Sequence, residues 1–217
     1  MAAAGSSRGR WLRLVPGQKP PAPMLRAEDE ALIDAIQRGD RRLGDQLYGR
    51  LIRIVDATVY RIAGRKDPEH DDLVQTAFEQ IVITIAEKKY AKACSLTSWA
   101  AAVTCNVTLH ALRRRTAHRK VFDRNVELDG AVLDVGGIDV ERTVAARREL
   151  ERVRDHLSRM TPERAETLLL HDMLGKELSE IAVLTGVSVA AAQSRLVRGR
   201  HELVERMNGD PTTTEDA

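Results

Sequence analysis

Between Lys176 and Arg200 the chain reads KELSEIAVLTGVSVAAAQSRLVRGR, two short helical periods broken at Gly186 with arginines along the second. Ile181, Ala182, Leu184, Val187, Ala192 and Leu196 are spaced so that two helices can cross over a small apolar contact, with Ala182 allowing the close approach. Gly186 stands where the first helix must stop and the chain turn, a position that favours a residue tolerant of positive φ. Ser188 follows as the cap of the second helix. From that cap Ala190, Ala191, Gln193, Ser194, Arg195 and Arg198 project outward, with Arg200 beyond them. Small residues let such a helix sink into a major groove, while Gln193 and the arginines reach base edges and phosphates. The segment predicts a helix-turn-helix and puts nucleic acid first among ligands. The alternative for this stretch alone is a plain helical hairpin with a solvated basic face.

The rest of the chain predicts an all-α protein of two small helical domains joined by a flexible linker, the C-terminal one carrying the helix-turn-helix. Aromatic residues make up only 3% of the 217, so the cores must be aliphatic and alanine-rich, which favours packed helices over sheets. Net charge is only +2, so attraction to DNA must come from local segregation of charge. Cys94 and Cys105, in a chain without a secretory apolar segment, read as small buried hydrophobes of a reducing, cytoplasmic protein. The longest apolar run, Ile81 to Ala86, is far short of a membrane span, so no membrane insertion is expected. No P-loop, HExxH or CxxC pair is present, and His70, His156, His171 and His201 lack ligand spacing and read as surface residues. We therefore expect no catalytic residues, no metal and no cofactor.

Residues 1–26 hold Pro16, Pro20, Pro21 and Pro23 among Arg8, Arg10, Arg13 and Lys19, which predicts a disordered basic extension. Helical periodicity starts near Glu28 with Leu32, Ile33 and Ile36, breaks at Gly39-Asp40, and resumes through Leu43, Leu47, Leu51, Ile54 and Val55 to Ile62 before Gly64. A third helix is expected after Asp71-Asp72, with Leu73, Val74, Ala77, Phe78, Ile81, Val82 and Ile85 on its apolar face. A fourth is expected from Ser95 to Ser98 through Trp99, Val103, Val107 and Leu112 into a basic cluster. These make a first domain over 27–120. Glycines and acids then dominate an acidic linker over 121–142. The second domain, 143–207, opens with a helix over Thr143 to Leu157, followed by one capped by Thr161-Pro162 and stopped by Gly175. A polar tail, 208–217, closes the chain.

Two further constellations carry chemistry. Asp72, Gln75 and Glu79, at i, i+3 and i+7, form one polar stripe beside the apolar face of the third helix, suited to docking a partner or to facing solvent. Arg113, Arg114, Arg115, Arg119 and Lys120 place five cations in eight residues with no acid among them, a run that a nucleic-acid backbone would screen. Trp99, near the start of that helix, fits either a base-stacking role or the core.

Taken in order, DDLVQTAFEQIV, SLTSWAAAVTCNVTLHALRRRTAHRK, an acidic linker and LSRMTPERAETLLLHDMLGKELSEIAVLTGVSVAAAQSRLVRGR resemble the extracytoplasmic-function (ECF) sigma factors of bacterial RNA polymerase over about Ala27 to Met207. The resemblance implies a non-enzymatic initiation subunit. Its first domain binds the clamp helices of the largest polymerase subunit and opens the minus-10 promoter element; its second reads the minus-35 element and meets the flap. It implies that Asp72, Gln75 and Glu79 bind polymerase and that Asn106 and the arginines from Arg113 onward meet minus-10 DNA. The Lys88 to Leu96 loop would hold an unstacked base. Ser188, Gln193, Ser194, Arg195, Arg198 and Arg200 would belong to the minus-35 reader, with the linker threading the RNA exit path. Such factors often have an anti-sigma partner. Ala191-Ala192 replace the family's usual Thr-Val and Gln193 a lysine, which implies a different base preference; His110 replaces an aspartate, which implies altered minus-10 contacts, and Glu177 replaces the usual serine or threonine cap, a weaker cap by about 1 kcal/mol. The competing reading is a free-standing helix-turn-helix repressor or activator with a dimerisation domain over Glu28 to Lys120. In the sigma reading, the free chain would bind DNA poorly because its two basic surfaces hang on a flexible tether.

Overall fold

A computed structural model of the chain describes residues 27–64, 68–122 and 140–209. Among these residues the chain is helical throughout, with no strand: α1 (Ala27–Gln37), a 3-10 turn (Arg41–Leu43), α2 (Gly44–Ala63), α3 (Pro68–Ala86) and α4 (Leu96–Phe122), then α5 (Val140–Arg159), α6 (Pro162–Leu168), α7 (Leu178–Thr185) and α8 (Val189–Asn208). The expected extension, most of the acidic linker and the end of the tail lie outside the described residues. No single helix among those described is long and apolar enough to cross a membrane.

Local sequence explains most boundaries. α2 stops at Gly64, whose φ of +81° is the left-handed turn that closes a helix. α3 begins at Pro68, earlier than the expected start after Asp71-Asp72. Proline suits a first helical turn because its missing N–H has no intrahelical partner there. Thr161 does precede α6, with Pro162 in the first turn, but its hydroxyl makes no capping bond. Its backbone carbonyl instead accepts from the amides of Arg164 and Ala165. The α6 helix then widens into one π turn, Leu169–Met173, before the chain turns toward α7.

The first half is built on α2, α3 and α4. Leu47, Leu51, Val55 and Ile62 of α2 are buried with Ala77, Ile81 and Ile85 of α3 and with Trp99, Val103 and Leu109 of α4. Trp99 is only 2% exposed, and its ring centroid lies 4.6 Å from that of Tyr90. The core alternative for this residue is the one realised. Cys94 and Cys105 are buried free thiols, as expected. Burial pushes the Cys94 thiol up to about 12 and Cys105 well above the ordinary thiol range, so both behave as packing groups. Three expectations need correction. Val82 turns outward beside Ile83, 40% and 48% exposed, because the buried face of α3 runs through Leu73, Ala77, Phe78, Ile81, Thr84 and Ile85. His70 and His156 are buried, not on the surface. His70 Nε2 lies 2.8 Å from Asp56 Oδ1, and that partner is what lets an imidazole sit between α2 and α3.

In the second half α6 and α8 pack together, α7 crosses α8, and α5 lies against both α8 and α4. The halves are not separate bodies: Leu157, Met160, Ala165 and Leu169 belong to the same apolar cluster as Leu109, Leu112 and Trp99. Two arginines reinforce this junction reciprocally. Arg113 of α4 donates to the Ser158 and Met160 carbonyls at the end of α5, at 3.2 and 3.1 Å, while Arg154 of α5 donates to the Ile62 carbonyl at the end of α2, at 2.8 Å. Each supplies a cation and donors to carbonyls that a helix C-terminus leaves unpaired. Gly64 makes room for the second, since a Cβ there would fall 1.9 Å from the Arg154 guanidinium. Gly64→Ala is therefore expected to lower stability by about 1–2 kcal/mol from the left-handed backbone alone, and by more through displacement of Arg154, measurable as a reduced denaturation midpoint.

Candidate nucleic-acid interface

The C-terminal motif has the predicted form. α7 and α8 meet at an angle of 102°, and Gly186 between them takes φ +65°, ψ +40°. Ile181, Ala182, Leu184, Ala192 and Leu196 are buried at the crossing. The Val187 amide bonds back to the Ala182 carbonyl at 3.0 Å, closing the turn. Ser188 Oγ accepts the Ala191 amide at 3.2 Å, so the second helix starts on a made cap. Glu177 precedes α7 without a side-chain capping bond. Gln193, Arg198 and Arg200 are exposed, and Ser194 and Arg195 are half-buried. Arg200 is not idle in the free chain: its Nε lies 3.0 Å from Asp172 Oδ2. That guanidinium holds the Asp172 carboxyl below the usual carboxylate range. Nothing in the local pattern of α8 pointed to this pair, whose acid lies 28 residues upstream.

On α4 the basic cluster is divided. Arg114 is exposed, while Arg115 donates through Nε to Glu69 Oε2 of α3 at 2.6 Å. The side chains of Arg119 and Lys120 lie outside the described residues. Arg113 is half-buried against α5, and Asn106 donates through its amide to Glu166 of α6. Burial lowers the Arg113 guanidinium pKa, with Glu163 and Glu166 pulling the other way. Burial, then Arg113 and Arg114, also lowers the His110 pKa, which keeps this imidazole neutral at physiological pH. The charge run pointed to Arg113 and the family resemblance to Asn106, but neither to the groups that cover them, because those lie 45 to 60 residues away.

The loop between α3 and α4 is firmly tied. Lys88 and Lys92 take positive φ of 56° and 55°. Lys92 Nζ reaches Asp34 and Glu30 of α1 at 2.9 and 3.1 Å, and the Tyr90 hydroxyl donates to the Cys94 carbonyl at 2.5 Å. On α3 the expected stripe exists: Asp72, Gln75 and Glu79 are exposed, with Gln75 Nε2 donating to Glu79 Oε1 at 3.0 Å. Val82 and Ile83 continue it as an apolar end. Among the described residues no group of His, Cys, Asp and Glu is arranged to hold a metal ion.

Comparison with known proteins agrees with this geometry. Residues 47–118, from α2 into the basic end of α4, match the family model for sigma-70 region 2. Residues 150–203, from α5 through most of α8, match that for sigma-70 region 4. The chain is similar to the RNA polymerase sigma factor NccH of Alcaligenes xylosoxydans xylosoxydans, 29% identical over 176 residues that cover 81% of this chain and 92% of that protein. It is also similar to the RNA polymerase sigma factor CnrH of Cupriavidus metallidurans, 27% identical over 84% of this chain and 95% of that protein. Among solved structures it matches that of CnrH in complex with the cytosolic domain of CnrY, at 22% identity and a TM-score of 0.48, covering 84% of this chain and 98% of that one.

Proposed function

We infer that this chain, which belongs to the extracytoplasmic-function (ECF) group of the sigma-70 family of bacterial RNA polymerase sigma factors, reads a promoter with both of its halves at once. As a sigma factor it directs core polymerase to promoters and begins strand opening. In this reading the chain is cytoplasmic and has no catalytic activity of its own. The half built on α1 to α4 (27–120) docks on the clamp helices of the largest subunit through Asp72, Gln75 and Glu79. It takes the minus-10 element on Asn106, Arg113, Arg114, Arg115, Arg119 and Lys120. The half built on α5 to α8 (143–207) reads the minus-35 element through Ser188, Gln193, Ser194, Arg195, Arg198 and Arg200, beside the polymerase flap. Residues 121–142 join the two.

The single observation that carries this assignment is the exposed polar stripe on α3, continued by Val82 and Ile83. A folded monomer gains nothing from leaving two aliphatic side chains exposed beside three exposed polar ones, whereas a docking surface needs both. Two compact modules, each weak on DNA alone, gain affinity when a large partner fixes both on one duplex, because the second contact then forms at high effective concentration.

The stripe is tested by capture of core polymerase on immobilised chain. Asp72→Ala/Gln75→Ala/Glu79→Ala should cut retention at least roughly tenfold, the sum of a few ordinary interface contacts, with an unchanged denaturation midpoint. Undiminished capture would remove α3 from the interface. A free-standing regulator would instead retain no polymerase and hold a palindromic operator as a dimer.

A further inference from the structure

α1 precedes the residues that match sigma-70 region 2, which begin at 47, and its contacts show what it holds. Leu32 and Ile33 bury one side of the helix in the core. The buried Asp29 accepts from Arg50 Nε of α2 at 3.0 Å, which fixes α1 against the first half. Glu30 and Asp34, one turn apart and so on a shared side, serve a different element. Both reach the Lys92 ammonium in the loop between α3 and α4, at 3.1 and 2.9 Å, across 62 and 58 residues of sequence. Asp34, then Glu30, raises the pKa of this ammonium and holds it charged.

The loop has two residues in the left-handed region, and their causes differ. Lys88, at φ 56°, closes α3: its amide meets the Ile85 carbonyl at 2.9 Å and the Lys89 amide the Thr84 carbonyl at 3.0 Å, the paired bonds of a helix end. Lys92, at φ 55°, follows no helix end. A lysine backbone is disfavoured there by roughly tenfold, while one partly exposed ion pair returns a factor of at most about 5. Two pairs together are of the size that offsets the backbone cost. Tyr90, stacked beside Trp99 and bonded to the Cys94 carbonyl, anchors the buried side of the same loop.

We propose that Glu30 and Asp34 of α1 are positioning residues for minus-10 base capture, holding the α3–α4 loop through Lys92 in the backbone conformation that receives an unstacked base. The inference rests on the reading of Lys88 to Leu96 as the loop that holds this base. Strain of this kind persists only where the surroundings over-determine it, and here α1 supplies that determination from outside the loop. Only chains with the loop so held are competent, so capture falls with that fraction. The sign of the effect is opposite to that of charge alone. Two carboxylates beside a DNA-facing loop repel phosphate, so neutralising them would by electrostatics strengthen promoter binding. Acting through Lys92, their loss weakens base selection instead.

The test uses the full chain as Glu30→Gln/Asp34→Asn, which keeps the shape of both side chains and removes their charge at exposed positions, so the denaturation midpoint should hold. In the free chain, tryptic cleavage after Lys92 should quicken by roughly 5-fold, because cleavage of a folded chain follows the open fraction of the segment. With core polymerase, initiation is compared on promoters carrying each of the four bases at every minus-10 position. Where the unaltered chain is most selective, preference for the best base should fall by roughly 3- to 5-fold. Lys92→Met should flatten that preference equally, and adding it to the double variant should change nothing further, since either breaks the same link. Glu28→Gln, which neutralises an α1 acid that faces Arg50 instead, should leave cleavage and preference unchanged. Unchanged cleavage in the double variant, or stronger promoter binding with the base preference intact, would each overturn the positioning role. Absence of promoter-directed initiation by the unaltered chain would instead overturn the sigma reading, and the cleavage rate would still report whether α1 holds the loop.

Discussion

Trp99→Ala is expected to destabilise the protein by about 3–5 kcal/mol, the range for emptying a large aromatic site in a packed core, and to lower its denaturation midpoint by roughly 6–20 °C for a chain of this size. The indole is 2% exposed, stacks beside Tyr90, and sits in the cluster that joins α2, α3 and α4. Tyr90 in turn fixes the loop before α4 through its hydroxyl bond to Cys94. The loss therefore extends from the core to the loop expected to hold an unstacked base. Trp99→Phe should recover most of the stability, because an aromatic ring still fills most of the site. The competing role, a platform for an exposed base, predicts the opposite pattern: an unchanged midpoint with a selective defect in strand opening. A midpoint within a degree or two of the unaltered chain would show that the buried position of Trp99 is not what the residue is for.

Removing the proposed reading residues of α8 should have the second large effect. Each base-edge or phosphate contact of a recognition helix is worth about 1–3 kcal/mol, so Gln193→Ala/Arg195→Ala/Arg198→Ala should reduce transcription from the cognate promoter by roughly 10²-fold or more. The changes lie on exposed or half-buried positions, outside the crossing made by Ala192 and Leu196. Folding and capture of core polymerase should be retained, since those depend on other surfaces. Ser188 is left in place so that the cap to Ala191 still starts the helix. If the triple variant initiated as well as the unaltered chain at promoters with an intact minus-35 element, α8 would not be the reader.

What the sequence made legible were the features that arise from neighbours along the chain. Gly186 needed only its own backbone to mark the turn, and Ser188 needed only the amide three residues on. The exposed stripe of Asp72, Gln75 and Glu79 follows from helical periodicity once α3 exists. What stayed hidden were contacts made across the fold. Arg113 resembles a phosphate ligand in any local reading, and only the approach of α5 reveals that it first serves two carbonyls. His70 looked like a surface residue because Asp56, which makes its burial tolerable, sits on a different helix. Arg200 shows the same effect, its acid partner having arrived through the α6–α8 packing. Long-range pairs of this kind leave no periodic trace, and here they are concentrated where the two halves meet.

The central claim, that two helical modules become a promoter reader only when polymerase holds them apart, is tested most directly by reconstituted transcription. Purified chain, core polymerase and a library of promoter fragments are combined, with each protein also assayed alone for retention of the same fragments. The account predicts specific start sites from the pair, little fragment retention by the chain alone, and loss of those sites when either the minus-10 or the minus-35 element is scrambled. Tight, sequence-selective retention by the chain alone, with no gain in initiation when core polymerase is added, would contradict it.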